Sequence, residues 1–149
     1  MRVAVGPGAE GNEVSSEKDA LFTDDHYCLC CGDKNPVGFK MKFRFEGEKL
    51  LSEAVVPKEY QGFNNVVHGG ILGTLLDELM VNLYWLKGTK AVTVEYQVRL
   101  KAPCPTNTNV FLSAWPVEEK RNLHYVAAEA HLADGTVVAE ATAKCMKVI

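Results

Sequence analysis

The sequence predicts an α+β domain in which an antiparallel sheet of about six strands curls around one long helix. Two observations carry this. One segment, Ile71 to Leu83, repeats its apolar residues at helical spacing, while the runs on either side alternate at period two. The helix also comes after two strand-like runs and before four, with no regular strand–helix alternation. A doubly wound parallel sheet is thereby excluded.

The elements follow in order. Residues 1–24 are rich in Gly, Glu and Ser without a hydrophobic period and read as a mobile arm, leaving 25–149 as a single domain. Phe39, Met41, Phe43 and Phe45 alternate with Lys40, Lys42 and Arg44, the pattern of a strand with one buried face. Glu46-Gly47-Glu48 makes a turn into a second strand, Leu50 to Val56, which Pro57 ends. In the helix, Ile71, Leu72, Leu75, Leu76, Leu79, Met80 and Leu83 give an apolar surface wider than a surface helix needs, so a sheet should wrap it. Lys87-Gly88 supplies the stop. Four strands follow: Lys90–Lys101, Asn109–Glu118, Leu123–Ala133 and Thr136–Val148. Glu119 to Asn122 and Asp134-Gly135 serve as hairpin turns.

Composition narrows the function. The 149 residues carry a net charge of −3 and no basic cluster, which disfavours nucleic acid as a partner. Ile71–Leu86, the longest apolar candidate, is broken by Asp77, Glu78 and Asn82, so no membrane span is expected. The first residues have no apolar signal region. Five scattered cysteines suit reduced thiols, and together these features point to the cytoplasm.

The chemistry concentrates at His68-Gly69-Gly70-Ile71-Leu72-Gly73-Thr74-Leu75-Leu76-Asp77-Glu78. Two glycines at a helix start are locally costly, but they expose backbone N–H groups at the positive end of the helix dipole. That is a site for a developing oxyanion. Asp77 lies inside an apolar helix, where a carboxylate must be paired, hydrated in a cleft or functional. Gly73, one turn earlier, is expected to leave space beside it. Glu78 is expected on a solvated face. Gly69 and Asp77 stand about 12 Å apart along one helix, too far to act on one carbonyl carbon. If both act on one substrate, they come from different subunits, which predicts an obligate dimer with two composite sites.

His68-Gly69-Gly70 followed by Leu76-Asp77-Glu78 resembles the signature of hotdog thioesterases of the phenylacetate-degradation (PaaI-like) type. Tyr60-Gln61-Gly62, Ala91 to Tyr96, and the leader Cys28-x-x-Cys31-Gly32 with Asn35-Pro36-x-Gly38 extend the resemblance over roughly residues 27–148. The resemblance implies a hotdog fold and hydrolysis of an acyl-CoA to acid and CoA without a cofactor. The assembly it implies is a dimer or tetramer. It further implies Asp77 as general base or nucleophile, a Gly69 or Gly70 amide as oxyanion donor, His68 as the residue that orients the thioester, and Thr93 as a hydroxyl that positions water. Some members place an asparagine where Gly62 stands here; Gln61, Asn64 and Asn65 are the nearby amides that would replace it in substrate binding.

Other residues read more plainly. His26, His124 and His131 are structural or surface residues, and Trp85 and Trp115 belong to the core or an interface. Cys28, Cys30 and Cys31 lack a matching second ligand pair, with Cys104 and Cys145 isolated, so no metal is expected and the leader reads as a turn covering the sheet edge or the pocket. Arg99, Lys101, Lys120 and Arg121 are candidates to meet the CoA nucleotide. The competing readings are a hotdog enoyl-CoA hydratase and a non-catalytic acyl-CoA-binding module. The order of His68 and Asp77 disfavours the first, and the retained carboxylate disfavours the second.

Overall fold

A computed structural model describes residues 21–148. The expected mobile arm falls mainly on residues outside that range. The described chain runs β1 (Arg44–Glu46), β2 (Lys49–Val55), a 3-10 turn (Lys58–Tyr60), α1 (Gly69–Trp85), β3 (Ala91–Leu100), β4 (Asn109–Lys120), β5 (Leu123–His131) and β6 (Val137–Lys147). The six strands form one antiparallel sheet in the order β1-β2-β4-β5-β6-β3.

Turn chemistry sets the register as the sequence predicts. Gly47 turns the chain between Glu46 and Lys49 with φ +59°, and Arg121 does so between Lys120 and Leu123 with φ +53°. Asp134 accepts the Thr136 N–H at 2.9 Å, and Gly135 takes φ +88°. At the helix end, the Thr89 N–H donates to the Tyr84 carbonyl and Gly88 adopts φ +84°.

The first strand is shorter than its alternation suggests. Phe39 and Met41 do not join the sheet; their N–H groups donate to the carbonyls of Leu29 and Cys30 in the leader, at 2.9 and 2.8 Å. Met41 is still buried, but Lys40 between them takes φ +52°, so the period-two pattern here reports burial within a loop and not a strand.

Helix α1 is buried on most of its circumference, with Leu75, Leu76, Leu79, Met80 and Leu83 at 0% exposure. It packs against β2 through β6, as the broad apolar surface requires. Many of the buried positions on the central strands are alanines: Ala114, Ala128, Ala130, Ala141 and Ala143. Small residues there let the helix lie close against the sheet. This is the hotdog arrangement implied by the resemblance. No helix among the described residues is long and apolar enough to cross a membrane.

Candidate active site along the edge of strand β3

The helix and β3 run antiparallel past each other at the sheet edge. A Cβ placed on Gly69 would meet Leu100, one on Gly73 would touch Val98 and Tyr96, and Asp77 lies beside Thr93. The catalytic candidates are thereby strung along one groove, from the helix N-terminus to its middle. On its other side β3 has no strand neighbour among the described residues. Val94 and Tyr96 are about half exposed there, and Leu100 somewhat more.

His68 is the N-cap of α1. Its Nδ1 accepts the Gly70 N–H at 3.0 Å, which assigns the ring proton to Nε2 and leaves that N–H free to point outward. The same bond uses the Gly70 amide. The Ile71 and Leu72 N–H groups both donate to the His68 carbonyl. Among the described residues the Gly69 N–H has no partner, so of the two glycine amides it is the one open to a ligand.

Asp77 is half-buried, and its Oδ1 is enclosed without a hydrogen-bond partner. Burial raises its pKa above the usual carboxylate range, and the Thr93 hydroxyl beside it offsets part of that rise. The β3–β6 register slips between Thr93 and Glu95. Such a bulge re-aims a side chain next to a site, and here it falls at the residue that faces the carboxylate.

Two expectations, on Gly73 and Glu78, are corrected. Gly73 leaves no open space: it is buried, and its Cβ would come to ordinary contact with Val98 at 3.4 Å. There is room for a methyl group there and little more. Glu78 is not solvated but only 8% exposed, lying on the face that the leader covers. Its Oε1 accepts from Cys31 Sγ at 3.0 Å and from Asn82 Nδ2 at 2.8 Å. The amides Gln61, Asn64 and Asn65 turn their oxygens onto one cation, Lys58 Nζ, at 3.0, 3.2 and 2.9 Å. They hold the loop before His68, and Lys58 was not legible as their partner because only the folded loop brings its ammonium group among them. Gly62 packs against His68, where a Cβ would sit 3.3 Å from the His68 Cα, so an asparagine there would press on the N-cap.

The four basic candidates divide between two ends of the sheet. Arg99 and Lys101 flank Leu100 at the Gly69 end of the groove. Lys120 and Arg121 lie at the opposite end, where Lys120 pairs with Glu118 at 3.3 Å. They line a surface hollow with Asn122, Leu123 and Tyr125. The histidines outside the motif have structural settings: His124 is buried and stacks on Tyr84 at 4.2 Å, His131 stacks on Phe111, and His26 pairs with Asp33.

The sequence matches the family model described as the thioesterase superfamily over residues 64–139, half of the chain and all of the groove just described. The chain belongs to the thioesterase superfamily. Solved structures agree on the fold of this thioesterase-superfamily chain. A thioesterase superfamily protein matches at TM-score 0.75 and 19% identity, over 80% of this chain and 62% of its own; this chain therefore spans less than two thirds of that relative. A Streptococcus mutans protein solved bound to acetyl-CoA matches at TM-score 0.67 and 18% identity, over 72% of this chain and 88% of its own. A phenylacetic acid degradation-related protein from Ralstonia eutropha matches at TM-score 0.66 and 25% identity, over 72% and 85%. A comparison with curated proteins gave no match.

Proposed function

We propose that this chain hydrolyses acyl-CoA thioesters, with Asp77 as the group that activates water or attacks the carbonyl. The observation that carries this reading is the Asp77 carboxyl itself: half-buried, raised in pKa, with one enclosed oxygen unpartnered, and lying beside Thr93 on a strand whose outer edge has no strand neighbour among the described residues. A carboxylate desolvated in this way is a stronger base than one in water. Thr93 would hold the water against it. The Gly69 N–H, unpaired at the positive end of α1, would receive the oxyanion, and His68 Nε2–H would steer the thioester end. Acetyl-CoA bound to the Streptococcus mutans relative supports a CoA ester as the ligand class.

The reaction would need at least a dimer. Eight residues of helix separate Gly69 from Asp77, about 12 Å, so the amide and the carboxylate serving one thioester would come from different subunits. The exposed apolar edge of β3 would be the surface that brings the subunits together.

The test is thioester hydrolysis across a panel of aryl, short, medium and long acyl-CoA esters, read by thiol release, for wild type and Asp77→Ala. Activity on one acyl class, reduced about 100- to 10,000-fold by Asp77→Ala with the assembly intact, is the expected result. No hydrolysis with any ester, or undiminished activity in the variant, would refute it; CoA-ester binding without turnover would turn the reading to a binding module.

A further inference from the structure

The leader, which precedes the segment matched by the family model, brings a second cluster of reactive side chains together on α1. Cys28, Cys31 and Glu78 each present one donor atom, and these three atoms lie within 4.8 Å of one another. Cys31 Sγ is 3.0 Å and Cys28 Sγ 3.5 Å from Glu78 Oε1. Cys30, also buried, aims its thiol at the Thr74 carbonyl, one turn before Glu78, at 3.8 Å. Residues 47 and 50 positions apart in sequence thus meet on one side of α1.

The loop that carries the thiols is built to hold them. Gly32 donates its N–H to the Cys28 carbonyl, and a Cβ there would lie 2.4 Å from the Cys28 nitrogen and 2.6 Å from the His26 carbonyl oxygen. Only glycine fits so tight a return of the chain, and it brings Cys28 and Cys31 side by side. Asn35 closes the loop from the other side, donating to the Tyr27 carbonyl and accepting the Val37 N–H. The loop then attaches to the following segment through Phe39 and Met41.

We propose that Cys28, Cys31 and Glu78 form a binding site for a tetrahedral divalent ion of the zinc type, which pins the leader to the helix that carries Asp77. Zinc–sulfur bonds of about 2.3 Å and zinc–oxygen bonds of about 2.1 Å, at tetrahedral angles, set donor separations of roughly 3.6–3.8 Å. The two sulfur–oxygen separations, 3.0 and 3.5 Å, lie close to these values, and the two sulfurs are within 4.8 Å of each other. Thiolate and carboxylate donors together suit zinc, with a water completing the fourth position. Binding releases the thiol protons to solvent and replaces the S–H···O bonds to Glu78 by metal bonds. The site is separate from the acyl-CoA reading: it organises the leader and stands or falls without reference to hydrolysis.

The experiment uses the full chain purified under reducing conditions from zinc-supplemented cells, with metal measured by mass spectrometry. About one zinc per chain is expected, retained through gel filtration and lost to a strong chelator together with a fall in Tm. Reconstitution with Co²⁺ alone should give thiolate-to-cobalt charge-transfer absorption, absent in Cys28→Ser and Cys31→Ser and changed in Glu78→Gln. Folded wild type that takes up neither Zn²⁺ nor Co²⁺ would overturn the proposal, as would a Cys28–Cys31 disulfide in the reduced preparation or cobalt spectra indifferent to all three substitutions. Because wild type alone decides the metal content, a variant that fails to fold leaves the test intact.

Discussion

Asp77 is half-buried and holds one enclosed oxygen without a partner, and its raised pKa follows from that burial. In the proposed mechanism the working form is the carboxylate, so activity should disappear as the pH falls through this raised value, above the ordinary aspartate value of about 3.9. Thr93 lowers the pKa. In Thr93→Val the acid limb of the kcat/KM profile should therefore move to higher pH, which a profile on the best substrate would read; an unmoved limb would remove Thr93 from the site. Stability should respond in the opposite sense. An acid whose pKa rises on folding weakens the fold above that pKa and has no effect below its unfolded value. Asp77→Asn should thus raise Tm near neutral pH, with the gain vanishing in acid, and scanning calorimetry at two pH values checks this.

At the scale of the helix, the two glycines in the groove have different reasons to be there. Gly69 occupies the first helical position after the His68 cap, and His68 has φ −57° and ψ 131°. Proline is favoured at that position and accepts an extended residue before it, so Gly69→Pro should fold, with exposed Leu100 giving way to the ring. It removes only the N–H. If that amide receives the oxyanion, kcat should fall about 100- to 1,000-fold with little change in Tm. Gly73 is a packing glycine in a helix interior whose Cβ would make ordinary contacts. Gly73→Ala should therefore stabilise the fold by about 0.5–1 kcal/mol, measured by denaturant unfolding. A destabilised variant would mean that Val98 and Tyr96 cannot relax. The strands are organised by the same economy: buried alanines on β4, β5 and β6 bring the sheet up to a helix that has almost no solvated face.

The whole molecule presents a partly apolar edge strand, with no strand neighbour on its outer side among the described residues, beside its candidate catalytic groups, and this makes subunit composition testable. Asp77→Ala and Gly69→Pro are each expected to be inactive as homodimers. Refolded together in equal amounts, half of the dimers are mixed, and each mixed dimer has one site with both groups intact. Recovery of about a quarter of wild-type activity is expected if the sites are shared between subunits. No recovery despite subunit exchange would place both groups in one chain.

The helix, its apolar circumference, five of the six strands and the turns between the later strands were legible in the sequence, because each rests on a local period or on a turn residue with a fixed conformational need. So was the motif from His68 to Asp77, since a carboxylate and paired glycines are conspicuous in an apolar helix. The short extent of β1 was not legible, because alternation records which face is buried and not which segment donates the hydrogen bonds. Nor could the sequence choose between Gly69 and Gly70, a choice made by the rotamer of His68. Glu78 was misplaced for a related reason: its neighbours in sequence say nothing of a cysteine loop that arrives from 47 residues upstream. Local periodicity and turn chemistry are written residue by residue. Which atoms face each other across the groove and under the leader depends on long-range contacts that only the folded chain brings together.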